Sequence, residues 1–189
     1  MNRQKVTFSF FALLLIGSVS GSPATQAPRK SPNFSINEPS GKVTQLSSFT
    51  GKVVVMEFLF VRSEHCLRVA KMLNELHSEL GSRGFQPVGI TFDPPNGGSN
   101  PQLVSYMVSY FKLTYPMGYA AKADVDSYLG RTPNQILNIP QIVVIDRTGM
   151  IRAASGGAGG DPKLEDKNAL RNLIIDLLEE GKTSGSHGR

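Results

Sequence analysis

One cysteine, Cys66, is all that the 189 residues hold. No intramolecular disulfide can form, so that thiol is either a buried hydrophobe or a free group with chemistry of its own. Long apolar runs are missing as well. The longest, from about Val6 to Ile16, falls well short of the roughly 20 residues that a membrane span requires. No cysteine stands directly after it, which excludes a lipid anchor attached through sulfur. The three histidines, His65, His77 and His187, share no metal-ligand spacing, so neither a metal nor another cofactor is expected. GGAGGD, residues 156–161, has no GxGxxG pattern and no Walker lysine, and reads as a mobile loop rather than a nucleotide site. Lys and Arg number 20 against 15 Asp and Glu, a surplus of +5 that is too small and too scattered to bind nucleic acid. There is no internal repeat.

What is present fits one globular domain with tails. The chain is 40% apolar and 19% charged, and its length suffices to enclose a hydrophobic core. The opening MNRQKVTFSFFALLLIGSVSGSPATQA has a basic start, an apolar run and then small residues, the grammar of a secretory signal peptide cleaved between Ser20 and Ala27. Cleavage would remove Arg3 and Lys5, leave a charge of +3 and place the protein in the periplasm or outside the cell, with no membrane span. Residues 28–32 read as a linker, 33–181 as the domain and 182–189 as a disordered tail.

Within the domain, strand and helix patterns alternate. NFSINEPSGKVTQLSSFTGK has turn signals between short apolar pieces and predicts an irregular or hairpin start. VVVMEFLF, residues 53–60, is nearly all apolar, as expected of a strand covered on both faces, and its single charge is Glu57. Cys66, Val69, Leu73, Leu76 and Leu80 then recur at three and four, one face of a helix that ends at Gly81 and Gly84. QPVGITFD predicts a second buried strand, Leu103 to Leu113 a helix, YPMGYA a short strand and Val125 to Leu129 a short helix. Tyr106, Tyr110 and Phe111 sit at helical spacing and read as core rather than as a ligand platform. QIVVID, RTG and MIRAAS form a hairpin, and Asp161 is placed to cap a last helix with Pro162 at its first position. That helix buries Leu170, Leu173, Ile174, Leu177 and Leu178. This order predicts an α/β fold with a mixed central sheet and helices on both faces.

GKVVVMEF leading to a thiol at the start of the first long helix, followed later by IPQIVVIDRTGMIR, resembles the thioredoxin-like superfamily. The closest likeness is to exported TlpA-like thiol-disulfide oxidoreductases, grouped with the AhpC/TSA redoxins, over residues 33–180. The resemblance implies a cis peptide bond before Pro140, which with Ile139 would shape a client groove beside the sulfur. Its usual signature is Cys-x-x-Cys; here it stands as Ser63-Glu64-His65-Cys66. A serine hydroxyl forms no disulfide, so the two-thiol cycle is not open to this chain alone.

The other elements of such a site remain. Thioredoxins carry a buried proton-relaying carboxylate six positions before the first cysteine, and Glu57 stands there; read without the family, it is a side chain escaping to a sheet edge. A helix N-terminus and a protonated His65 would lower the Cys66 pKa, while Glu64 opposes them. Read plainly, Cys66 is inert packing and Ser63 a good N-cap. The resemblance thus implies single-thiol chemistry, in which Cys66 forms a mixed disulfide with a client protein or small thiol and an external thiol reductant resolves it. Two alternatives stand beside it. One is a redox-inactive module that binds extended peptides in the same groove. The other is an antioxidant, peroxiredoxin-like thiol peroxidase: Ser63 and Cys66 match part of its Pro-x-x-x-Thr/Ser-x-x-Cys motif, but Leu59 and Pro140 occupy the places of its proline and arginine.

Overall fold

The computed structural model describes residues 28–92, 100–132, 134–156 and 160–180. The signal-peptide region, the C-terminal tail and the centres of the two glycine-rich loops lie outside them. In chain order the strands are β1 (Arg29–Lys30), β2 (Ser35–Asn37), β3 (Val43–Gln45), β4 (Val53–Leu59), β5 (Phe85–Thr91), β6 (Met117–Tyr119), β7 (Gln141–Ile145) and β8 (Met150–Ala154). The helices are α1 (Glu64–Leu80), α2 (Pro101–Phe111), α3 (Lys122–Leu129) and α4 (Lys167–Glu179).

All eight strands join one sheet in the order β1-β8-β7-β4-β5-β6-β2-β3. β4, β5 and β6 run parallel, as strands joined through helices must, and β7 returns antiparallel to β4. β4 and β5 are the apolar runs of the sequence because they are central: every residue of both is buried. The turn-rich start does form a hairpin, β2 with β3, and docks on β6 at the far edge. Arg29–Lys30, inside the segment read as a linker, pairs with Ile151 and Met150 and protects the other edge.

Side chains of β4 alternate between two cores. Val53, Val55 and Leu59 face a cluster built with α1, α2 and α4; Val54, Met56 and Phe58 face one built with α3 and the Phe34–Leu46 segment. Helices therefore cover both faces. α1 follows its predicted stripe from Cys66 to Leu80 and passes at Gly81 into a 3-10 turn, Gly81–Arg83, which Gly84 ends with a φ of 104° that favours a residue without Cβ.

Two expectations need correction. Tyr106 and Tyr110 are not core: they are 61% and 64% exposed and stack on each other at 5.5 Å, because α2 buries Val104 and Met107 instead. Asp161 and Pro162 do not begin α4. They open a 3-10 turn, Pro162–Glu165, and Asp166 caps α4 through the amide of Ala169. A single turn fits there because Leu164 is already buried in the α1–α4 core, and the chain must be redirected before the stripe of Leu170, Ile174, Leu177 and Leu178 can pack.

Candidate active site

The carboxyl end of β4 leads into a tight turn in which the Ser63 amide donates to the Phe60 carbonyl at 3.1 Å. Ser63 then caps α1: its backbone is extended, and its Oγ accepts the amide of Cys66 at 3.4 Å. Cys66 is consequently the third residue of the helix, with its side chain on the inward stripe and no solvent exposure. Burial dominates its acidity and pushes the thiol pKa up, and the nearby Glu57 carboxyl adds to that; the Ser63 hydrogen bond and the backbone amides of the turn pull the other way without winning. The expected activation by the helix N-terminus is present in geometry but is outweighed by desolvation.

Pro140 and Ile139 reach the same place by strand register. Gln141, the first residue of β7, pairs with Phe58, and the next pair is Ile142 with Glu57. Pro140 therefore lies beside the end of β4 from which the Ser63 turn departs. Its peptide bond with Ile139 is cis. Pro140 is buried, while half-buried Ile139 packs against both core clusters, including the one that holds Cys66.

Glu57 does not escape to an edge. β4 is flanked by β7 and β5, so the carboxyl points into the α1–α4 core with no exposure, and neither oxygen has a hydrogen-bond partner among the described residues. Burial, then the charge of Glu165, drives its pKa well above the usual carboxylate range. Such a shift favours the protonated, neutral form of the carboxyl. His65 is on the outer side of the helix start, where its Nε2 meets Glu165 Oε2 at 2.6 Å.

Two members of this cluster carry no sequence signal. Glu165 arrives from the 3-10 turn more than a hundred positions after Glu57, and no spacing relates them. Tyr115, from the link before β6, is buried, donates to the Ala70 carbonyl at 3.2 Å and has its pKa raised by burial and by Glu57. Only its place in an aromatic-rich stretch could have hinted at it.

A mixed sheet with helices on both faces, a helix-capping thiol turn and a cis-proline before the antiparallel return strand define a thioredoxin-like fold. Within that class, the chain belongs to the AhpC/TSA family, which matches residues 28–154. It is 20% identical over 176 residues to the thiol-disulfide oxidoreductase ResA of Bacillus cereus, covering 88% of this chain and 96% of that one. Among solved structures, it superposes on a thiol:disulfide interchange protein of the thioredoxin family from Chlorobium tepidum with a TM-score of 0.65 and 22% identity, over 81% of this chain and 98% of the other. A secreted disulfide oxidoreductase from Mycobacterium tuberculosis gives a TM-score of 0.57 and 17% identity, over 76% and 95%.

Proposed function

We propose that this protein is a thiol-disulfide oxidoreductase of the cell envelope, confined to single-thiol chemistry through Cys66. The observation that carries it is the placement of the sole thiol: third in α1, on the end of β4 that Pro140 adjoins. ResA and the other relatives named above bear on the same reading through their names. The signal-peptide pattern of residues 1–27 supports export, and no helix among the described residues is long and apolar enough to cross a membrane.

In the first step Cys66 gives its proton to solvent base and the resulting thiolate displaces one sulfur of a client disulfide; the Cys66–client bond forms as the client bond breaks, and the departing client thiolate takes up a proton. An external small thiolate then attacks the client sulfur of the adduct, forming a new disulfide and expelling Cys66 as a thiolate. Glu57, held as the neutral acid, gives it a proton and regains one from solvent. Ile139 and Pro140 bound the surface along which the client lies, and Ser63 keeps the helix start fixed. Client proteins and small thiols are thus the partners.

The raised pKa and complete burial of Cys66 favour a second reading, in which the fold keeps the client groove but has lost redox turnover, a binding module for extended peptides. Incubation of the native protein with oxidised glutathione, followed by intact-mass analysis, separates the two. Single-thiol chemistry gives a Cys66–glutathione adduct that forms faster as pH rises and is removed by added thiol. Absence of an adduct until the protein is denatured rejects it in favour of the binding module.

A further inference from the structure

Between Asp93 and Asp124 the sequence has no acidic residue, and α2 lies inside that stretch. Its outer face carries a row of rings. Tyr106 stacks on Tyr110 with an interplanar angle of 23°, Tyr110 meets Phe111 edge-on at 4.9 Å, and the Lys71 ammonium of α1 stands 4.5 Å above the Phe111 ring. The row is held in place. Asn74, one turn after Lys71, donates to the Lys112 carbonyl at 3.3 Å and accepts the Thr114 amide at 2.8 Å, which fixes the end of α2 against α1. Exposed cations border it: Arg68 and Lys71, one turn apart on α1, and Lys112 directly after Phe111. None of them has a carboxylate partner among the described residues, and neither the Tyr106 nor the Tyr110 hydroxyl has a hydrogen bond there. Glu75, one turn past Lys71, is bound to Lys167 at 2.6 Å, and Glu64, one turn before Arg68, makes no ion pair with it. Exposed rings are thus flanked by N–H and O–H donors that the chain itself does not use.

We propose that the row formed by Tyr106, Tyr110 and Phe111, with Lys71 and Lys112, is a docking surface for an acidic segment of another protein. Such a segment sets an apolar side chain on the rings and its carboxylates on the cations. Charge complementarity selects that occupant. Carboxylates accept from the Lys71 and Lys112 ammonium groups in charge-assisted bonds, and the two tyrosine hydroxyls add neutral donors. Serine stands beside each tyrosine, and Ser105, Tyr106, Ser109 and Tyr110 are all exposed. Surfaces of this composition bind proteins well, because tyrosine gives rigid contact area at small entropic cost and serine adaptable hydrogen bonds. A second copy of this chain fits less well: a two-fold contact would bring together two faces of the same positive charge with no α2 carboxylate in either. A membrane also fits less well, since the residues between the rings and the start of α2 on this face are Gln102, Ser105 and Ser109, where an interfacial helix would present apolar side chains. The surface is separate from the thiol, Lys71 lying on the outer side of α1 and Cys66 on its buried stripe.

The test titrates the protein with two synthetic peptides, acetyl-Glu-Glu-Phe-Glu-Glu-amide and its counterpart with lysine in place of glutamate. Ring signals of Tyr106, Tyr110 and Phe111, followed by NMR, read the binding. The docking surface requires the acidic peptide to move all three signals together to saturation, and the lysine peptide to leave them in place. Lys71→Glu, and separately the double variant Tyr106→Ser with Tyr110→Ser, should each weaken the acidic peptide about tenfold. Lys30→Glu is the control. It reverses an exposed cation on β1, at the opposite edge of the sheet, and changes the net charge as Lys71→Glu does, so it should alter affinity less than about twofold. All four altered side chains are exposed, so a loss of binding is read without a loss of fold. Equal weakening by Lys30→Glu and Lys71→Glu would make the binding a matter of net charge and overturn the proposal. So would equal binding of both peptides, or ring signals that the acidic peptide leaves unmoved. Ring signals that broaden with protein concentration but ignore the peptide give the face to a second copy. Ring signals lost on vesicles of phosphatidylglycerol and phosphatidylcholine, again with no response to the peptide, give it to a membrane; either result rejects the acidic partner.

Discussion

The oxygen of Ser63 and the sulfur-bearing residue Cys66 are joined by a helix cap, Oγ accepting the Cys66 amide at 3.4 Å. Where a two-thiol site would place its nucleophile, this chain has the group that fixes the helix start. Two predictions follow from one atom. Ser63→Ala leaves the amide uncapped and should cost about 1 kcal/mol in urea unfolding. Ser63→Cys puts a sulfur on the first turn of α1, three residues before Cys66, in the half-exposed position that a client disulfide can reach. That variant is expected to form an internal disulfide and to reduce insulin with a thiol donor, a reaction the unaltered chain should perform at least a hundredfold more slowly, on the order of a general catalytic group. An inactive, disulfide-free variant would mean that more than the nucleophile has been lost.

Glu57 makes stability fall as pH rises. The folded protein holds this proton to a higher pH than the unfolded chain does, because burial and Glu165 raise its pKa. Its favourable linkage is complete below the unfolded carboxyl value and is lost as pH climbs toward the raised folded value. Glu57→Met replaces a carboxyl whose two oxygens have no partner among the described residues by an apolar side chain of similar length. It should gain about 1–3 kcal/mol at neutral pH, less in mild acid. Urea midpoints at acidic and neutral pH measure both the gain and its slope; a destabilised variant at neutral pH would show that the Glu57 carboxyl is held by stabilising partners.

The contrast between Glu57 and Tyr110 shows how far the sequence could be read. β4 was legible because seven consecutive buried positions leave only one pattern, and the Cys66 stripe because α1 packs a single face on the sheet. α2 misled because its apolar face is narrow: Val104 and Met107 suffice to seat it, leaving the tyrosines outside. Tyr106→Ser with Tyr110→Ser should therefore change unfolding free energy by no more than about 0.5 kcal/mol each, the ordinary surface range. The site divides in the same way. Ser63, His65 and Cys66 are neighbours in sequence, and Pro140 was marked by the resemblance of IPQIVVIDRTGMIR to the family's proline loop. Glu165 meets His65 at the edge of the site only because the 3-10 turn is packed beside α1, and no local spacing encodes that.

Asp126 governs the approach to Pro140. Its buried carboxylate binds Lys122 one helical turn earlier and accepts from Arg131 Nε at 3.4 Å. The rest of the Arg131 guanidinium donates to the carbonyls of Gln135 at 2.6 Å and Ile136 at 3.1 Å. The segment that leads to Ile139 is thus fixed by one ion cluster, although Ile136 itself points into solvent. Removing the carboxylate leaves Arg131, whose side chain is mostly enclosed, without its counter-charge, and loss of one partner from such a pair costs about 3–5 kcal/mol when fully buried and less here. Asp126→Ala should lower stability by about 2 kcal/mol on that scale and raise amide exchange across residues 134–139 while sparing β4. The surface proposed to hold a client beside Cys66 would loosen with it, so adduct formation with a peptide disulfide should weaken more than with glutathione, which needs less of that surface. Equal loss for both would assign the loop to folding alone.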